Sequence, residues 1–163
     1  MSNYLSSVED DIALHKLNIT HLIDKKQGDQ SHLERYIARN LDFYLENFSN
    51  DLYKIPFNSL YNIFFHKERI LKNHEKAYHF ITNSPKNDED DSINNKNSIF
   101  ILLKSLDGNN FSRETLFDAV SKRNEHFDYI PNICNPFFAS IKRDIEQMNE
   151  KIENQNKQIE KQN

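Results

Sequence analysis

Residues 31–48 read SHLERYIARNLDFYLENF, and the spacing of their apolar side chains decides the class of fold. Large apolar residues recur every three or four positions, which places them along one side of an α-helix. Ser31 and Glu34 have the spacing of a capping box, in which both side chains accept hydrogen bonds from backbone N–H groups of the first turn. The stretch therefore predicts an amphipathic helix that starts at Ser31 and buries Leu33, Ile37, Leu41, Tyr44, Leu45 and Phe48.

The scarcity of glycine excludes several other classes of protein. Of the 163 residues, 2 are glycine and 4 are proline. A phosphate-cradling loop, a nucleotide-binding βαβ turn and a hairpin-rich β fold all need residues that adopt a positive φ, for which glycine is the usual choice. We therefore expect an all-α protein, in which a compact module of about five to six helices precedes a C-terminal coiled-coil helix.

The charge of the chain argues against nucleic acid as a partner. There are 21 Lys and Arg residues against 25 Asp and Glu, so the net charge is -4 and no overall positive field exists. Glu68 and Glu75 interrupt the most basic local cluster, which is typical of a solvated helix face. The members of that cluster are Lys67, Arg69, Lys72 and Lys76.

Nothing in the sequence points to a membrane or to an oxidising compartment. Cys134 is the single cysteine and has no partner for an internal disulfide, and the N-terminal residues lack the cationic start and apolar stretch of a secretory signal. The longest apolar run, Ile99–Leu103, is far shorter than the ~20 residues that cross a bilayer. We therefore expect a cytoplasmic protein without a membrane partner.

Changes in composition divide the chain into five segments. The stretch SPKNDEDDSINNKNS is too polar to bury the surface that would offset its ordering entropy, so it predicts a flexible loop between two helical parts. In chain order the segments are an N-terminal amphipathic helix (1–30), a helical core (31–83), a flexible acidic, Asn-rich loop (84–98), a second helical part of the core (99–135) and a coiled-coil tail (136–163).

Cap and turn residues predict where individual helices begin. A capping box at Ser6 and Glu9 predicts a first helix over 7–24. Pro56 favours a helix start directly after Ile55, and Asn73 is a good N-cap. Further predicted starts are Ser112 and, after an extended segment over 127–131, Asn135–Pro136.

The last predicted helix carries a heptad repeat. Its apolar residues are separated alternately by four and three positions, with Ile at the a positions and Gln155 as a weakening d position. The flanking e and g positions show no opposite-charge pairing, so they do not specify a partner. A polar surface helix that frays at its end is the alternative interpretation. The predicted coiled-coil seam is Ile141, Ile145, Met148, Ile152 and Ile159.

No motif in the sequence indicates catalysis, a metal or a cofactor. His74 and His79 are five residues apart, which places them on different sides of a helix, and the chain has no Cys pair and no HExxH. Cys134 lies near Phe137 and Phe138, which favours a small buried hydrophobe over a nucleophile. We therefore predict no catalytic, cofactor-binding or metal-binding residue, and no enzyme activity.

The middle of the chain resembles the BACK domain, the helical module that follows the BTB fold in BTB–Kelch-type adaptor proteins. The family shows a Leu-Pro entry to a helix with Leu and Ile on one face, then a helix opened by Glu with an aromatic and an aliphatic residue beneath it. The positions that match this pattern, and that we expect in the core of the fold, are Leu52, Ile55, Pro56, Leu60, Ile63, Phe64, Glu75, Tyr78 and Ile81.

The resemblance implies an all-α interaction domain, of a kind that often serves in substrate adaptors of cullin-type ubiquitin ligases. The sequence before residue 33 is too short for the BTB fold that contacts the ligase, so the resemblance transfers neither a ligase role nor any site residue. We expect a non-enzymatic adaptor that binds other proteins and that self-associates through its tail. The alternative is a structural or scaffolding coiled-coil protein, in which Val8–Ile23 pairs with Ile141–Ile159.

Overall fold

Helices make up most of the part of the chain that the computed structural model describes, and no strand occurs in that part. The all-α prediction is therefore confirmed, together with a long C-terminal helix. The described residues are 2–24, 30–84, 96–121 and 130–160.

The helices belong to two compact units, Met1–Leu106 and Asp107–Asn163. The predicted core segment 99–135 is thus divided, with 99–106 in the first unit and 107–135 in the second. Most of the predicted loop, and Phe127 and Tyr129 of the predicted extended segment, lie outside the described residues.

In the first unit, short helices pack around a buried core. The helices are α1 (Ser2–Ile23), α2 (Ser31–Arg39), α3 (Leu41–Asn47), α4 (Ser49–Leu52), α5 (Phe57–Phe64), α6 (His74–Thr82) and α7 (Lys96–Leu103). Among them, α2 packs against α1 and α5, α3 against α4 and α6, and α7 against α5 and α6.

The stripe predicted over residues 31–48 is in the core, but the helix is broken at Asn40. There the backbone turns to φ -118° and ψ 26°, so α2 ends and α3 begins on the far side of this residue. Leu33 is half-buried, and every other member of the stripe is buried. The break lets both short helices direct their apolar faces into the same core.

The predicted capping box at the start of α2 is wrong. The N-cap residue is Gln30, with no side-chain capping hydrogen bond, and Ser31 is already the first helical residue. The Glu34 carboxylate is buried and accepts a hydrogen bond of 2.9 Å from the Asn62 amide of α5. Glu34 therefore binds Asn62 of α5 and does not cap its own helix.

The chain between α5 and α6 is held by polar groups of other elements. The Asn73 side chain caps α6 by accepting from the backbone N–H of Lys76 at 2.9 Å, as predicted. The Asp42 carboxylate of α3 accepts from the backbone N–H groups of Lys72 and Asn73. The Arg69 guanidinium donates to the carbonyls of Phe64 and Ser105, and burial lowers its pKa.

The first and seventh helices begin earlier than the sequence predicts. α1 starts at Ser2 and runs through Ser6 and Glu9, so the predicted start at residue 7 is wrong. α7 starts at Lys96, inside the predicted 84–98 loop, because the apolar run that follows gives this helix a buried side.

The described residues of the second unit form a short 3₁₀ turn, Gly108–Asn110, and two α-helices that pack against each other: α8 (Arg113–Ser121) and α9 (Pro131–Glu160). The Asp107 carboxylate accepts from the backbone N–H of Asn109 at 3.0 Å and so caps the turn. Ser112 Oγ accepts from the backbone N–H of Thr115 at 3.3 Å, which agrees with its predicted capping role.

The last helix starts at Pro131, so its predicted start at Asn135–Pro136 is wrong. The backbone N–H of Cys134 donates to the Ile130 carbonyl at 2.8 Å, which closes the first turn. Proline is well suited to this first helical position because it has no N–H to satisfy there. Pro136 is accommodated inside the helix, although it cannot donate to the carbonyl of Asn132 four residues earlier.

Candidate interaction surface

The predicted coiled-coil seam forms an exposed apolar stripe along α9. Its residues fall within about 60° of the helix surface, because the alternating spacing of three and four averages close to one helical turn. Their exposed fractions rise from 37% at Ile141 to between 51% and 58% at the other four residues. The structure therefore brings all five predicted seam residues together and leaves them without cover within the described second unit.

Two phenylalanines extend the stripe toward the start of α9. Phe138 is 49% exposed and precedes Ile145 by one heptad, and Phe117 of α8 is 64% exposed. The Phe137 ring links them, at centroid distances of 6.3 Å to Phe117 and 5.7 Å to Phe138. The heptad spacing alone could have found Phe138, but the contribution of Phe117 depends on how α8 packs.

α8 covers one flank of the stripe and leaves its centre open. Arg113 forms an ion pair with Asp144, and Phe117 lies near Phe137, so α8 runs antiparallel to α9. Cys134 is buried and carries a free thiol, which confirms its predicted role as a small hydrophobe. From Ile141 onward the apolar face of α9 is exposed to solvent.

The core positions of the BACK-like pattern lie in the first unit on α4, α5 and α6 and on the turn between α4 and α5. Pro56 and Glu75 are half-buried, and Glu75 lies in the first turn of α6. The apolar members are at most 1% exposed: Leu52, Ile55, Leu60, Ile63, Phe64, Tyr78 and Ile81. These residues therefore form packed core and no accessible site.

The basic cluster that the sequence singled out is dispersed in the structure. Arg69 binds backbone carbonyls, and Lys76 forms an ion pair of 3.3 Å with Glu46. Lys67 lies in an open groove of about 450 Å³, where Arg35 and Arg39 share the Glu68 carboxylate at 2.9 and 3.2 Å. The groove is lined by Ser31, His32, Arg35, Tyr36, Arg39, His66, Lys67 and Glu68.

His15 is buried inside a cluster of aromatic rings. Its ring centroid lies 4.3 Å from that of Phe43, 5.0 Å from Tyr44 and 5.4 Å from Tyr36. Burial lowers the pKa of His15, and the exposed carboxylate of Asp11, 3.9 Å away, opposes this shift in part. Burial also raises the pKa of Tyr36 and Tyr44, so the whole cluster favours its uncharged forms.

We expect the His15→Phe variant to lose part of the acid sensitivity of the protein. The unfolded chain binds a proton on His15 near the ordinary pKa of 6.5, above the lowered pKa of the folded state. The stability that neutral His15 provides is therefore complete above pH 6.5 and is lost as the pH falls through the folded-state pKa. Urea unfolding above and below this pH measures the difference.

The control for this measurement is His79→Phe, which makes the same replacement at an exposed position of α6. This variant should lose as much stability below pH 6.5 as the wild-type protein does. If His15→Phe shows the same loss, the titration of another group causes the acid sensitivity.

In the part of the chain that the structure describes, no three His, Cys, Asp or Glu side chains are grouped as a metal site requires. None of the described helices combines the length and the apolar character needed to span a membrane. Within this part, Nδ1 of His15 is a buried side-chain atom without a hydrogen-bond partner, and its surroundings are aromatic. Among the described residues, the exposed apolar stripe on α9 is therefore the candidate interaction surface.

Comparison with known proteins assigns no relative to the chain. It matches no protein-family model, no curated protein and no solved structure.

Proposed function

We propose that this protein is a non-enzymatic interaction module that self-associates through the stripe on α9. The observation that carries the proposal is the exposure of five large apolar residues at heptad spacing on one face of a 30-residue helix. Contiguous exposed apolar surface of this kind marks interaction sites in monomeric soluble proteins. A second copy offers the same heptad spacing and therefore fits the stripe.

The composition of the seam favours a modest affinity. Burying an isoleucine side chain completely is worth about 1.5–3 kcal/mol, but these side chains are already half covered by their own helix. Gln155 occupies a d position and interrupts the apolar contact. Association also costs at least ~4 kcal/mol in lost translational and rotational freedom. We therefore expect dissociation constants in the micromolar range.

The adaptor role rests on the BACK-like pattern of the first unit. In that family the helical module positions elements that bind partners, and here the pattern over Leu52–Ile81 coincides with a packed core in the first unit. We propose that the first unit is likewise a rigid support for protein–protein contacts in the cytoplasm.

The burial of α1 supports this interpretation over the scaffolding alternative. Ile19 and Leu22 are at most 1% exposed in the first unit, where α1 packs against α2 and α4. A scaffold built from α1 and α9 would need these two side chains for the contact between the helices.

The double substitution Ile145→Lys/Ile152→Lys tests the proposed self-association. It places two charges at the centre of the stripe, and burying them against a second copy is strongly unfavourable. Light scattering of the full chain should show a dimer at high micromolar concentration and a monomer for the double variant.

The matched control is Gln147→Lys/Asn154→Lys, which adds the same two charges to α9 outside the stripe at exposed positions. This control should remain a dimer. If it dissociates together with the first variant, total charge governs association, and the proposed role of the stripe is wrong.

A further inference from the structure

We infer that the α9 helices of two copies pair in antiparallel orientation, in a register that places Ile145 opposite Met148 of the second copy. This inference rests on the proposed self-association and adds the direction and alignment of the two helices. The same register places Ile141 opposite Ile152, and Phe138 opposite Gln155.

Charge complementarity determines the direction of the helices. Asp144 and Lys151 occupy successive g positions of the heptad. In a parallel pair a g residue faces the e position of the next heptad, so Asp144 would face Asn149 and Lys151 would face Asn156. In an antiparallel pair g residues face each other, and each Asp144 meets Lys151 of the second copy.

The same charges determine the register. A shift by one heptad in one direction brings Asp144 opposite Asp144 of the second copy, and a shift in the other direction brings Lys151 opposite Lys151. Like charges in these positions repel. The register with Ile145 opposite Met148 therefore has two attractive pairs, and each adjacent antiparallel register has a repulsive one.

The contacts within the second unit are compatible with an ion pair between Asp144 and Lys151 of the second copy. Asp144 lies on the flank of α9 next to α8, where Arg113 holds its carboxylate. Lys151 is exposed and forms no ion pair with any described residue, whereas Lys142 already lies 3.9 Å from Glu146 in the same helix. Lys151 of the second copy would therefore join Arg113 around a single carboxylate.

The register also brings the end of the second α9 close to the exposed phenylalanines. The antiparallel register brings Gln155 and Ile159 of the second copy to the start of α9, where Phe138 and Phe117 are 49% and 64% exposed. Ile159 of the second copy then lies at the level of Cys134, which is buried in its own unit. The end of the second helix therefore lies beside Phe138 in this register.

Spin labels on the outer face of α9 test the direction directly. Single cysteines replace Arg143 or Lys157, both exposed f positions, in the full chain with Cys134→Ala. At 1.5 Å per residue, the antiparallel register offsets the two labels along the axis by about 10 Å at position 143 and by about 30 Å at position 157. A parallel pair gives the same label distance at both positions.

Pulsed electron paramagnetic resonance should therefore give a clearly longer distance between the two spin labels at position 157 than at position 143. Equal distances in a dimer would overturn the antiparallel inference and leave the proposed self-association standing. Sedimentation of each labelled protein as a monomer, with the unlabelled chain also monomeric, would overturn both. These outcomes separate failure of the inference from failure of the proposed function.

Charge variants test the register. Lys151→Asp converts both attractive pairs into repulsive ones and should raise the dissociation constant roughly threefold to thirtyfold. Adding Asp144→Lys restores opposite charges between the copies, although it removes the ion pair with Arg113, and should recover most of the affinity. An unchanged dissociation constant for Lys151→Asp would show that the two g positions do not meet.

Discussion

Leu60→Asp is expected to unfold the first unit. Leu60 is completely buried in α5, the helix that packs against α2 and α7. Removing the leucine side chain alone costs about 2–5 kcal/mol, and the buried carboxylate adds several kcal/mol more. A domain has about 5–15 kcal/mol of stability, so little or none should remain.

Amide hydrogen exchange localises this effect to the first unit. The variant should lose protection throughout residues 31–84, whereas Asn58→Asp, which adds the same charge at an exposed position of α5, should keep it. Wild-type protection in Leu60→Asp would mean that the buried face of α5 is assigned to the wrong side chains.

Gly108→Ala is expected to destabilise the second unit, because the 3₁₀ turn touches the backbone of α9. A Cβ atom on Gly108 would lie 2.6 Å from the carbonyl oxygen of Asn132 and 2.9 Å from Cα of Ile133. Backbone atoms cannot rotate away as a flexible side chain can, so the turn and the helix must separate. Overpacking of this kind costs about 1–3 kcal/mol.

The expected sign is opposite to the usual effect of this substitution. Replacing glycine by alanine normally stabilises a protein by about 0.4–1 kcal/mol, because it restricts the unfolded chain. Urea unfolding, with hydrogen exchange in residues 107–121 and 130–140, should show a loss. Glu114→Ala, at an exposed position of α8, serves as the control and should be close to neutral. A stabilised Gly108→Ala would contradict the close contact.

Features that depend on neighbours in the sequence could be predicted. The Asn73 cap, the buried faces of α5 and α6 and the exposed seam all follow from spacing within one helix, where periodicity reports which side chains share a face. The candidate surface was therefore accessible from the sequence. The e and g positions show no opposite-charge pairing in a parallel pair, and Asp144 and Lys151 complement each other only in the antiparallel orientation that we infer.

Features that depend on distant residues could not be predicted. The capping box at Ser31 fails because Glu34 binds Asn62, 28 positions later in the chain. The predicted start of α9 is wrong because Pro136 is a typical first helical residue, and no neighbouring residue in the sequence shows that a packed helix tolerates it in the second turn. The contribution of Phe117 likewise requires the antiparallel packing of α8 on α9.

Sedimentation velocity of the unmodified full chain over a concentration series is the most direct test of the stripe on α9 as a self-association surface. We predict a shift from monomer to dimer between low and high micromolar concentration, reversed by Ile145→Lys/Ile152→Lys. A chain that remains monomeric at the highest concentration would contradict self-association through the stripe on α9.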